Sequence, residues 1–344
     1  MVSPELAGPA PGPGPVPVPG PVKVLYVAGA GRSGSTLLDA ILGQLDGFFS
    51  AGELRYLWER GLVEGRLCGC GTPVGRCPTW RAVLAEARAG AGAVDARALA
   101  AWQRRATRVR RTPAMVAASL LGCDRPGTAA PAGQAHALLG RVYRAAGRQS
   151  GCRVLVDSSK LPSYGWLLGR LPEVDLYVVH LVRDPRATAW SWLRRKRLTD
   201  TDDDARLMQR QPPLKSAVMW TVWNLVAALL WSRSERYLRL RYEDLIAHPE
   251  DAVRRIAALL GELPGRMPFT APGRVALAPT HSVAGNPTRL VTGEVSLRLD
   301  DEWAHRLRPG HELLVTLTTL PLLLRYHYRL APLPDPNETR KGRC

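Results

Sequence analysis

Short β-branched runs alternate along this chain with stretches whose apolar residues recur at helical spacing. Val22, Val24, Leu25, Tyr26 and Val27 form a run too short and too β-branched for a helix, which predicts a buried parallel strand over 22–28. Glycines break the run, and Leu37, Leu38, Ile41, Leu42 and Leu45 then predict a helix over 36–45. A short helix is expected to start near Glu53. The Ala-, Arg- and Leu-rich stretch from 79 to 150 reads as helices broken at Pro113 and at 126–131. Further strands are predicted at 153–156, 176–182 and 237–240, with a helix opened by Pro185 and a Trp-rich helix over 214–235. Strands separated by helices predict an α/β fold: a doubly wound, mainly parallel sheet with flanking helices and a helical insert. The expected organisation is a disordered Pro/Gly-rich tail over 1–21, one domain over 22–330 with its insert at about 47–150, and a flexible tail over 331–344.

Ligands of doubly wound sheets bind at the carboxyl ends of the strands, so the residues after each strand are the candidates for chemistry. After the first strand comes Gly29-Ala30-Gly31-Arg32-Ser33-Gly34-Ser35-Thr36, a glycine loop that enters a helix. Free N–H groups and the positive end of the helix dipole converge there on an anion. Gly29, Gly31 and Gly34 match the dinucleotide-binding pattern, with Glu53 near the place of a ribose-binding acid. The same residues are spaced like an ATP-binding P-loop, but Ser35 stands where that loop needs lysine. Taken at face value, Arg32, Ser33, Ser35 and Thr36 put one fixed charge and three hydroxyls on one turn, which suits a fully wrapped terminal phosphate. The plain alternative is an ordinary tight turn. The later exits are Asp157-Ser158-Ser159-Lys160, Arg183-Asp184-Pro185-Arg186 and Arg241-Tyr242-Glu243-Asp244. All are polar and basic groups recur among them, which argues for an anionic ligand across the sheet's edge.

The 344 residues carry a net charge of +17, and only five of the 47 basic residues are lysine. Arginine is the better fork for phosphate and sulfate oxygens. A nucleic-acid partner would call for a basic tract interleaved with aromatics. The densest basic run, Arg194-Arg195-Lys196-Arg197, is short, precedes the acidic stretch 200–204, and reads as a solvated helix end; no nucleic-acid partner is expected. Residues 199–213 read as a mobile loop. No run reaches the ~18 uninterrupted apolar residues of a membrane span, and residues 1–21 lack the features of a signal peptide. A cytoplasmic location is expected. Cys68, Cys70 and Cys77 cluster in a glycine-rich turn. Zinc would need a fourth ligand there, which Cys123, Cys152 or His136 would supply only by chance of folding. Reduced thiols are expected, with a local disulfide as the alternative.

Gly31-Arg32-Ser33-Gly34-Ser35-Thr36-Leu37-Leu38 resembles the 5′-phosphosulfate loop of sulfotransferases that use 3′-phosphoadenosine 5′-phosphosulfate (PAPS). His180-Leu181-Val182-Arg183-Asp184-Pro185-Arg186-Ala187, with Ser191 eight residues after Arg183, resembles that family's 3′-phosphate motif. Leu240-Arg241-Tyr242-Glu243-Asp244-Leu245 is similar to the segment whose tyrosine contacts adenine, and residues 285–289 to a late loop that closes over the cofactor. The matches run from about 23 to 303 in the family's order. Singly, each has a plainer reading: Arg183 and Asp184 as a surface ion pair, Ser191 as a small helical residue, Tyr242 as a core aromatic.

The resemblance implies a P-loop-like sulfotransferase fold and transfer of a sulfuryl group from PAPS to an acceptor hydroxyl by in-line displacement, leaving the bisphosphate PAP. It implies cofactor contacts from Arg32, Ser33, Gly34, Ser35, Thr36, Arg183, Ser191, Tyr242 and Arg289, the last as a third hold on the 3′-phosphate. Arg32 and Lys160 are the expected charge stabilisers, with Asp157 placed to orient Lys160. Glu53 is the expected general base and His281 the next candidate, although Glu53 also reads as an acid favoured by a helix N-terminus. No metal is expected in the site. The acceptor is a small molecule or a lipid or glycan hydroxyl. A kinase or NAD-linked oxidoreductase, and a basic phosphate- or nucleic-acid-binding module, are the competing readings.

Overall fold

A computed structural model describes residues 20–89, 95–122, 133–201 and 207–330. Of the two expected tails, only Gly20 and Pro21 fall within these residues. The central strand, β1 (Val22–Ala28), alternates between two apolar layers. Val24, Tyr26 and Ala28 join one core cluster, while Leu25 and Val27 join the other. A strand buried on both faces reads as a continuous apolar run, and each such side chain contributes roughly 1.5–3 kcal/mol when fully buried. Its neighbours, both parallel, are β3 (Val154–Lys160) and β4 (Val174–Val182). The outer strands β2 (Phe48–Gly52) and β5 (Tyr237–Arg241) are parallel too, giving the order β2-β3-β1-β4-β5.

One face of this sheet packs on α1 (Ser35–Leu42), α9 (Tyr242–Ala247) and α10 (Pro249–Leu260) through Leu38, Ile41, Leu245 and Ile256. The other face meets α2 (Pro78–Arg88), α3 (Ala96–Ala106), α5 (Gln134–Ser150) and α6 (Pro162–Leu168), with α4 (Thr112–Leu120) beside α6. Beside β4, α7 (Pro185–Leu193), α8 (Pro213–Trp231) and α12 (Pro309–Arg325) pack on one another, and α11 (Trp303–Arg306) rests on α7. A separate antiparallel sheet joins β6 (Phe269–Ala271), β7 (Arg274–Leu277) and β8 (Gly293–Ser296).

The sheet's parallel order and flanking helices are as the apolar pattern predicts, with three differences. The insert expected from about 47 begins with a strand, because β2 is built from Phe48-Phe49-Ser50-Ala51-Gly52 and lacks the β-branched signature. Its first α-helix starts only at Pro78. Pro113 opens α4 rather than breaking a helix, since a first-turn N–H has no intrahelical acceptor; the break at 126–131 lies outside the described residues. Finally, β3 runs through Lys160, so Asp157 to Lys160 are its last residues and not a loop. By length and composition, α8 is among the described residues the one helix long and apolar enough to cross a membrane. Here it packs against the domain, with its Asn224 Oδ1 2.8 Å from His180 Nε2 in β4.

A buried carboxyl ties α1 to β2. Asp39 Oδ2 accepts a 2.6 Å bond from Ser50 Oγ, while Oδ1 has no partner. Burial pushes the Asp39 pKa up to about 7, so the folded state holds a proton that the unfolded chain releases above about pH 4. This group's contribution to stability is complete below about pH 4 and is lost as pH rises to about 7. We expect Asp39→Asn, which keeps an acceptor for Ser50, to stabilise the protein by up to about 4 kcal/mol at about pH 8 and little at about pH 4. Urea unfolding at the two pH values measures the difference.

Candidate active site

The register of β1 brings its exit level with those of its neighbours: Ala28 pairs with both Lys160 and His180. A cavity of about 770 Å³ opens at this carboxyl edge. The loop after β1 forms one wall. Gly34 (φ 91°) presses against the Tyr242 ring so closely that a Cβ would collide with it, so only glycine fits there. The amides of Arg32 to Thr36 donate to no backbone carbonyl and gather at the N-terminus of α1. Arg32 (φ 68°) and Lys160 (φ 69°) both hold left-handed backbone, which costs a non-glycine residue roughly 1–2 kcal/mol. Strain at these two of the cavity-lining cations marks a site where side-chain direction is fixed at the expense of stability.

Around the loop stand two groups of cations. Arg32 stacks 4.6 Å over the Trp192 ring, and burial lowers its pKa. Arg183 donates to the Arg32 carbonyl at 3.2 Å, lies 4.6 Å over the Tyr242 ring, and pairs with Asp300 at 3.3 Å. Asp300 also pairs with Arg194. Ser191, two turns into α7, lines the same cavity. Tyr242 belongs to a core cluster, as its plainer reading has it, and it also lines the cavity. Thr36 Oγ1 accepts from the Asn286 amide at 3.3 Å, tying the phosphate-type loop to the late loop. Ser33 is buried with an unpartnered hydroxyl but does not reach the cavity wall.

Glu53 follows β2, and its Oε1 accepts a 2.6 Å bond from Lys160 Nζ; both side chains are buried and both line the cavity. Burial raises the Glu53 pKa, but Lys160, Arg60 and Arg55 outweigh it and hold the carboxyl below its usual range. Glu53 is therefore ionised at neutral pH.

Four expectations need correction. Asp157 does not orient Lys160: its carboxylate accepts from Ser159 and Tyr143 inside the core, where burial pushes its pKa up to about 6. Arg289 does not line the cavity; its buried guanidinium binds Leu67 O at 2.6 Å and Asp200 at 3.0 Å, while Arg298 lines the wall instead. His281 lies away from the cavity, with Nδ1 3.4 Å from Cys77 Sγ and 3.8 Å from Cys68 Sγ. The run 194–197 is a solvated helix end only in part: Arg195 and Arg197 are exposed after α7, but Arg194 and Lys196 line the cavity. Of the acidic stretch after it, Asp200 is buried; residues 202–206 lie outside the described residues.

Nine arginine and lysine side chains line the cavity against two carboxylates, Glu53 and Asp300. Arg32 Nε, Arg194 Nε, Thr188 Oγ1 and Ser216 Oγ, all on lining residues, are buried without a protein partner. Buried polar atoms are ordinarily satisfied, so this set calls for a ligand rich in anionic oxygen. Sequence reasoning missed Thr188 and Ser216, because a lone hydroxyl within a helix carries no signal until the helix is placed.

The chain belongs to the sulfotransferase family, whose sequence model matches residues 25–263. No curated protein matches it. The sulfotransferase domain of the curacin biosynthetic pathway shares the fold: it is 18% identical, with a TM-score of 0.50 over 91% of this chain and 99% of that one. The sulfotransferase domain of the Synechococcus PCC 7002 olefin synthase is 20% identical, with a TM-score of 0.49 over 92% and 97% of the two chains. For sulfotransferase STF9 from Mycobacterium avium the values are 14%, 0.41, 92% and 79%.

Asp300 now occupies the partner position that an anionic ligand of Arg183 and Arg194 would take. Asp300→Asn should lower the melting temperature of the free protein and tighten inorganic pyrophosphate, a probe anion for this cationic cavity, about tenfold, or ~1.4 kcal/mol, by titration calorimetry.

Proposed function

We propose that this protein transfers the sulfuryl group of PAPS to an acceptor hydroxyl by in-line displacement, with Glu53 as general base. One observation carries the reading: two cationic anchors share one cavity, the Arg32–Thr36 loop at the exit of β1 and the Arg183/Ser191 pair at the exit of β4. A P-loop kinase needs a loop lysine, which Ser35 replaces, and neither it nor an NAD-linked enzyme needs a second phosphate clamp at the β4 exit. The unpartnered donors and free loop amides fit PAPS, with its terminal 5′-phosphosulfate and its 3′-phosphate.

When bound, PAPS supplies the sulfuryl group and a 5′-phosphate as leaving group. The loop amides and Arg32 hold that end, and Arg32 stabilises charge developing on the departing oxygen. Arg183, Ser191 and Thr188 hold the 3′-phosphate, with Tyr242 beside the adenosine. Glu53 accepts the acceptor's hydroxyl proton at Oε1 or Oε2. Lys160 has two tasks, since its ammonium both pairs with Glu53 and faces the cavity. Drawing Lys160 toward anionic oxygen leaves Glu53 less compensated and raises its proton affinity when the proton must move. The apolar wall from Leu198, Met219, Trp220 and Trp223 favours an acceptor with an apolar portion.

Incubation with sulfur-labelled PAPS and a panel of hydroxyl acceptors should give labelled product and PAP; release of neither across the panel would contradict the proposal. Glu53→Gln should lower kcat by about 10²–10⁴-fold while the bisphosphate Kd changes little. Full activity in this variant would exclude Glu53 as the base.

A further inference from the structure

Outside the cavity, a second set of chemically capable side chains converges. Cys68, Cys70, Cys77 and His281 bring three sulfurs and one imidazole nitrogen within 4.8 Å of one another. Cys70 Sγ lies 3.7 Å from Cys77 Sγ, and His281 Nδ1 lies 3.4 and 3.8 Å from the sulfurs of Cys77 and Cys68. A tetrahedral zinc centre with its usual bond lengths sets sulfur pairs about 3.8 Å apart and sulfur–nitrogen pairs about 3.5 Å apart. A disulfide needs ~2.05 Å between sulfurs, and these cysteines are free.

The surroundings hold the four ligands in place. Cys68 N donates to Thr72 O at 2.7 Å and Gly71 N to Cys68 O at 2.9 Å, folding the cysteine turn. A Cβ on Gly69 would lie 2.6 Å from Ser282 Oγ and 2.7 Å from Thr280 O, so glycine lets this turn lie on the segment that carries His281. Gly69 N donates to Ser282 O at 2.9 Å, and Trp80 Nε1 to His281 O at 2.7 Å. The hydroxyl of Thr79 is 3.3 Å from His281 Nε2, where it can accept the ring N–H and leave the Nδ1 lone pair facing the sulfurs. The Thr72 hydroxyl, 3.1 Å from Cys70 Sγ, is placed to donate to a thiolate.

We propose that Cys68, Cys70, Cys77 and His281 form a closed, structural Zn²⁺ site. Binding replaces three S–H bonds by Zn–S bonds, releases three protons to solvent and leaves a centre of charge −1. No coordination position remains open, so the ion braces rather than reacts. It joins the cysteine turn to a strap that continues into the active site. Beyond His281, Val283 N donates to Ala51 O at 2.9 Å, Ala284 O accepts from Glu53 N, and Asn286 N reaches Thr36.

Elemental analysis of the full chain, purified without added metal, should find one zinc per chain. Cobalt substitution should give intense thiolate-to-metal charge-transfer bands and the d–d bands of tetrahedral cobalt. Cys152→Ser, which alters a buried cysteine outside the cluster, should keep the zinc, and the double variant Cys68→Ser, Cys77→Ser should lose it. Thr79→Ala, changing a positioning residue, should weaken zinc about tenfold in chelator competition. Iron in place of zinc, absence of stoichiometric metal, cobalt without charge-transfer bands, or a Cys70–Cys77 disulfide in the native protein would each overturn the proposal. Should the double variant not fold, the metal content and cobalt spectrum of the unaltered chain decide.

Discussion

Concentrated positive charge at the carboxyl edge of the sheet is the constraint on which the rest of this structure turns. Parallel pairing of β1 with β3 and β4 aligns their exits, so Arg32, Lys160 and Arg183 line one cavity. Like charges in a partly dry cavity repel far more strongly than in water. The fold answers with two carboxylates, Glu53 just after the edge strand β2 and Asp300 from the chain before α11. It leaves the remainder, and several unpartnered polar atoms, for a ligand.

That arrangement links packing to chemistry. The apolar layers on either side of β1 set the height of the exits, and the left-handed backbones of Arg32 and Lys160 aim their side chains. Their strain is borne by a core of large buried side chains. The late strap then connects distant parts: Ala284 and Asn286 meet Glu53 and Thr36, while His281 sits among the cysteines. A bound metal at one end of this strap would restrain Glu53 and the glycine loop after β1 at the other.

Much of this was legible in the amino-acid sequence, and the exceptions have physical causes. The strand exits announced themselves because fully buried strands are apolar throughout, which makes a polar terminus conspicuous. Arg32, Lys160, Arg183 and Tyr242 were found that way, Ser191 through its resemblance to the 3′-phosphate motif, and all line the cavity. Edge strand β2 stayed hidden because small and aromatic residues replace the β-branched run. Arg289 misled because a basic residue beside a cofactor-type loop looks like a ligand, yet its guanidinium braces Asp200 and Leu67. The cysteine cluster lacked a fourth member because His281 follows Cys77 by 204 residues, and no local spacing reports such a pairing. Asp300 has no motif at all. Its place emerges only when the chain before α11 folds back over α7.

The central claim, that the cavity grips two phosphates at separate anchors, is tested most directly by titration calorimetry of adenosine 3′,5′-bisphosphate against adenosine 5′-phosphate at one salt concentration. A second anchored phosphate predicts at least about tenfold tighter binding of the bisphosphate, ~1.4 kcal/mol or more. Equal affinities for the two nucleotides would contradict the account.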